Sequence, residues 1–88
     1  MEEPTGQLTG RERAILRAVA AGSAELTGGS EPDLLLDGRY CCDQGAVHRL
    51  VRAGLIAPAR VCAVGDRAPA QVTTAGRLEL IDGPVVAA

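Results

Sequence analysis

The chain has 88 residues and a net charge of −2, and its nine basic residues are all Arg. That length supports one small domain, which buries only roughly 60–65% of its unfolded surface. With one Tyr, no Phe and no Trp, the core has to be built from Leu, Val, Ile and Ala, and no apolar run approaches the ~20 residues that span a bilayer.

The acidic start Met1-Glu2-Glu3-Pro4 lacks the basic and apolar regions of a secretory signal. Three cysteines are an odd number for a disulfide framework. A cytoplasmic protein with no membrane contact is expected. The charge is unevenly spread. Residues 1–37 hold three Arg and seven Asp or Glu, a net −4. Residues 38–78 hold six Arg and two Asp, a net +4, and residues 79–88 hold two acids. The middle of the chain is therefore locally basic, and the planar fork of Arg suits phosphate and guanine.

Residues 1–7 show no periodicity and read as a tail. "LTGRERAILRAVAAG" (8–22) opens with Thr9 and Glu12 at capping-box spacing. Ile15, Leu16, Val19 and Ala20 mark one helical face, and Gly22 is a stop. Gly28-Gly29-Ser30, Glu31-Pro32-Asp33 and Asp37-Gly38 are turn chemistry. Ala24–Thr27 and Leu34–Leu36 between them have strand length and favour strands. A second helix runs over 43–53, with Asp43 as N-cap and Val47, Leu50 and Val51 as the apolar stripe. Gly54 ends it, and Leu55-Ile56 enter the core. Residues 60–74 read as a hairpin with arms at 61–64 and 71–73 around Gly65-Asp66-Arg67-Ala68-Pro69. Thr74 then caps a short helix over 75–81. The domain spans 8–82, and 83–88 is a second tail.

With the apolar stripe of the second helix on the core, Gln44, His48 and Arg52 fall on an outward stripe with Gly45 and Arg49 beside them. Apart from the Asp43 cap, the helix carries no carboxylate. In a major groove, Arg pairs with guanine and Gln with adenine, while Gly45 lets phosphate approach the helix N-terminus. Arg67 at the hairpin is a further contact, and Arg39 and Arg60 are phosphate anchors.

The order helix, strand-rich link, helix ending in Gly-Leu-Ile, hairpin and "VTTAGRLEL" resembles the winged helix-turn-helix family. The resemblance covers roughly residues 8–81. "AVHRLVRAGLI" (46–56) is similar to the end of a recognition helix. "QVTTAGRLEL" (71–80) is similar to the wing's return strand and the Thr-x-x-Gly-Arg turn of bacterial MarR-like regulators. "LTGRERAILRAVAAG" also resembles the first helix of LuxR-type regulators, up to Gly22. A positioning helix before the reader has no counterpart in the pattern of residues 34–41. The resemblance implies a small α+β winged helix with a two- or three-stranded antiparallel sheet. It also implies a transcription regulator that binds double-stranded DNA.

The alternative function is a protein-interaction adaptor without DNA binding. Leu34, Leu35, Leu36 and the C-terminal tail are candidate homodimer contacts. Cys41, Cys42 and Cys62 are weak metal candidates, since C-x-x-C spacing is absent. Packed small hydrophobes are the simpler reading of all three. Tyr40, the only aromatic residue, is expected to pack under the helix. No catalytic spacing or phosphate-cradling loop is present, so neither an enzyme nor a cofactor is expected.

Overall fold

A computed structural model describes residues 8–81 as an α+β domain of three helices and one five-stranded antiparallel sheet. The elements run α1 (Gly10–Ala20), β1 (Ala24–Thr27), β2 (Leu34–Leu36), β3 (Arg39–Tyr40), α2 (Gln44–Arg52), β4 (Ile56–Pro58), β5 (Arg67–Val72) and α3 (Thr74–Ile81). The strand order is β3-β2-β1-β5-β4. The helices pack over the sheet face that carries Leu26, Leu34, Ile56 and Val72, and Ile15, Leu16, Val19, Val47 and Leu50 close the core. By register, the other face presents Glu25, Tyr40, Arg67 and Pro69 around a buried Leu35.

Local chemistry accounts for the helix ends. Thr9 accepts from the Glu12 amide, and the Glu12 carboxylate accepts from the Thr9 amide, each at 3.0 Å. The box satisfies two amides that have no partner within the helix. Asp43 caps α2 by accepting from the Ala46 amide at 3.0 Å. At the other end the Leu55 amide donates to Leu50 and the Gly54 amide to Val51. Gly54 turns the chain at φ +76°. These two bonds form a Schellman motif, with Leu50 and Leu55 as its buried apolar pair. Asp37 and Gly38, both at positive φ, make the two-residue β2–β3 turn.

Several expectations change. The sheet has five strands, because 34–40 forms its own hairpin and joins β1. The arms of the long hairpin are β4 and β5, so residues 59–66 form its tip and residues 61–64 are loop. Pro69 explains where that ladder stops. Its carbonyl accepts from the Ala59 amide at 2.7 Å, but proline has no N–H to return. Thr73 caps α3 in place of Thr74, its hydroxyl accepting from the Gly76 amide at 3.1 Å. Tyr40 is 66% exposed and does not pack under the helix. Leu34 and Leu35 are buried within this chain, and Leu36 is half-buried against the core. Cys41 packs against the core and Cys62 is half-buried, but Cys42 is exposed. The expected tails at 1–7 and 83–88, including the tail contact for a dimer, lie outside the described residues. No helix among the described residues is long and apolar enough to cross a membrane.

Candidate nucleic-acid interface

α2 is positioned by Gln44, which the sequence placed on the outward stripe. Its side chain instead turns in towards β2. The amide oxygen accepts from the Leu34 amide at 2.9 Å, and the amide nitrogen donates to the carbonyls of Leu34 at 3.0 Å and Cys41 at 2.9 Å. Gln44 thus pairs with β2 as another strand residue would, and it has no donor left over for a base. Helical periodicity alone does not show that the first residue of α2 faces the β2–β3 hairpin.

His48, Arg49 and Arg52 do face outward, and each meets a carboxylate from elsewhere in the chain. Arg49 Nε donates to Glu12 Oε2 at 2.8 Å. Arg52 Nη2 donates to Glu31 Oε2 at 2.6 Å. His48, whose side chain is 21% exposed, lies between two acids, with Nε2 3.0 Å from Asp33 Oδ1 and Nδ1 3.9 Å from Glu31 Oε1. Gly45 is exposed in the first turn, but the Asp43 carboxylate that caps the turn is beside it and pairs with Arg11 at 3.5 Å. The helix is poor in carboxylates, as its sequence suggested, but its surroundings are not.

Glu12 is the buried member of this set. Burial pushes its carboxyl upward, but hydrogen bonds from Arg49 and from the Thr9 amide outweigh that and hold it below its ordinary value. The same contact raises Arg49, against a smaller opposing effect of desolvation. Glu12 was legible as a capping residue. Nothing local shows that its second oxygen reaches Arg49, 37 residues away.

The hairpin cations lie at the Thr27 end of the sheet, with Arg67 on the face turned away from the helices. Arg67 pairs in register with Thr27, and its Nη1 lies 3.7 Å from Glu25 Oε1. Arg60 Nη2 donates to the Arg67 carbonyl at 3.3 Å. The β1–β2 loop that carries Glu31 and Asp33 lies between α2 and this hairpin. Its stem is closed by Thr27 N–H to the Asp33 carbonyl at 3.0 Å and Asp33 N–H to Thr27 Oγ1 at 2.9 Å. The Gly28 amide donates to the Asp66 carbonyl at 3.0 Å, and a Cβ at Gly28 would collide with the Ala63 carbonyl. Arg39 does not join this group. It sits on β3 opposite Leu36, at the Ala24 end of β1 and three strands from Arg67, roughly 14 Å across the sheet.

Among the described residues, no three His, Cys, Asp or Glu side chains converge as metal ligands. Comparison with protein families, curated proteins and solved structures found no family model, no curated relative and no solved structure that matches the chain.

Proposed function

We propose that the chain is a winged-helix domain that binds double-stranded DNA, as a small transcription regulator would. The C-terminal half of α2 would enter the major groove, and the β4–β5 hairpin would act as the wing. One observation carries this reading. α2 runs directly into β4, and β4 and β5 form a hairpin whose return strand pairs with β1, the strand that follows α1. In a winged helix those parts are the reader, the wing and the strand that completes the sheet. The β2–β3 hairpin stands where a positioning helix would, and Gln44 ties it to the reader.

The contact set is narrower than the sequence suggested. It consists of Arg52, Arg60 and Arg67, with His48 and the outer guanidinium nitrogens of Arg49. The proposed set leaves out Gln44, whose polar atoms are used by β2 and Cys41; Gly45, which lies beside the Asp43 carboxylate; and Arg39, which lies three strands from Arg67. The acidic partners do not rule the set out. An exposed ion pair is worth about 0–1 kcal/mol, so exchanging a carboxylate for a phosphate costs little. What the acids remove is the net positive field that steers DNA from a distance.

A second reading is supported by exposed apolar side chains. Leu78 and Ile81 on α3 are 58% and 71% exposed, an apolar surface that a protein partner or a second copy would cover. Amide shift mapping on titration with a random duplex of about two helical turns separates the two readings. Shifts grouped at 48–52 and 59–67 are expected. Shifts confined to α3, or none, would discard the DNA reading.

A further inference from the structure

We propose that the β1–β2 loop is a built-in counter-charge, in which Glu31 and Asp33 occupy the place of DNA phosphates on α2 and limit how tightly the surface holds a polyanion. The inference rests on the DNA reading for its natural ligand, although its physical content concerns any polyanion. Three contacts support it: Arg52 to Glu31 at 2.6 Å, His48 to Asp33 at 3.0 Å and His48 to Glu31 at 3.9 Å. Arg52 and Glu31 side chains are well exposed, so the fold does not need their pair to fill a core. The two acids also differ in freedom. Asp33 belongs to the hydrogen-bonded stem of the loop, whereas Glu31 stands beyond it. Phosphate would displace Glu31 by a change of rotamer. Asp33 would remain and repel it.

The loop is held against the hairpin as well as against α2, through Gly28 and Asp66. Its charge is therefore fixed between the two surfaces that meet DNA in the proposed mode. A duplex whose backbone does not displace Glu31 gains no contact with Arg52. The loop would then weaken indiscriminate binding more than binding to a well-fitted site, because only the fitted site offers further contacts to offset the loss.

The test compares the full chain with the variant Glu31→Gln/Asp33→Asn. Retention on heparin and affinity for a random duplex are measured over a range of salt. Far-ultraviolet circular dichroism and thermal melting check that the variant is folded. Should the double change unfold the domain, Glu31→Gln alone is used, since Glu31 lies outside the stem. The variant is expected to elute from heparin at higher salt. It should also bind random duplex roughly three- to tenfold more tightly, with a salt slope steeper by about one to two. Unchanged retention and affinity in the folded variant would overturn the inference. If the variant gains heparin retention but neither protein binds duplex, the counter-charge stands and the DNA reading fails. If both proteins bind duplex equally with unchanged slopes, the DNA reading stands and the counter-charge fails.

Discussion

Gln44 and Glu12 show how a side chain in a functional-looking pattern can be used by the fold. Gln44 has one acceptor and two donor positions directed at β2 and its flanking chain. The helical period put it on the outward stripe, but the β2–β3 hairpin beside the first turn of α2 draws it inward. Glu12 combines a local role, which the capping-box spacing revealed, with a distant one that it did not. Its carboxyl is held below its ordinary 4.5 by Arg49 and the Thr9 amide, against the opposing effect of burial. A depressed folded value stabilises the native state above the unfolded value, and that contribution is lost as the pH falls through the folded value. Glu12→Gln should therefore cost about 1–2 kcal/mol near neutral pH. Denaturant unfolding over a pH series from about 7 downward checks this: the gap between the proteins should narrow as the pH falls through the depressed folded value of Glu12. A gap of equal size throughout would show that the charge does not matter.

At the scale of elements, residues 46–56 and 71–80 are packed on each other. Thr73 Oγ1 donates to the Gly54 carbonyl at 2.6 Å, and the Thr73 amide donates to the Leu55 carbonyl at 3.0 Å. A Cβ on Gly76 would collide with that same Leu55 carbonyl. "AVHRLVRAGLI" and "QVTTAGRLEL" are thus the two sides of one joint, which fixes α2 against β5 and α3. The Thr-x-x-Gly spacing has a mechanical basis here: Thr73 caps α3, and Gly76 lets the helix approach the chain after α2. Gly76→Ala should destabilise the fold by on the order of 2–4 kcal/mol, because a backbone carbonyl cannot give way as a flexible side chain can. A melting midpoint within a degree or two of the parent would contradict this account of the joint.

The elements that were legible are those with local causes: the Thr9 box, the Asp43 cap, the Gly54 stop, the Asp37-Gly38 turn, and the strand character of Ala24–Thr27 and Leu34–Leu36. The true reach of β5 was hidden. Its first half, Arg67-Ala68-Pro69, reads as turn chemistry but is held extended by pairing with β1. The pairing of β3 with β2 was hidden as well, since strand partners are chosen by packing across the chain.

Over the whole molecule, the basic middle segment suggested by the sequence folds against the acidic first third. Arg49 meets Glu12, Arg52 meets Glu31, His48 meets Asp33, and Arg67 meets Glu25. Each pair joins groups far apart in the chain, so the linear charge count overstated the positive surface. The proposed DNA contact therefore depends on a few cations at one end of the sheet, with little long-range attraction to help. In the proposed mode, Arg52, Arg60 and Arg67 hold duplex DNA together. Fluorescence anisotropy with a labelled duplex, from about 50 to 200 mM salt, compares the parent with Arg52→Ala/Arg60→Ala/Arg67→Ala. The parent should weaken with a log–log slope of about −2 to −4, and the folded triple variant should lose most of both affinity and slope. Equal binding by the two proteins, or no binding by the parent at the lowest salt, would contradict the claim.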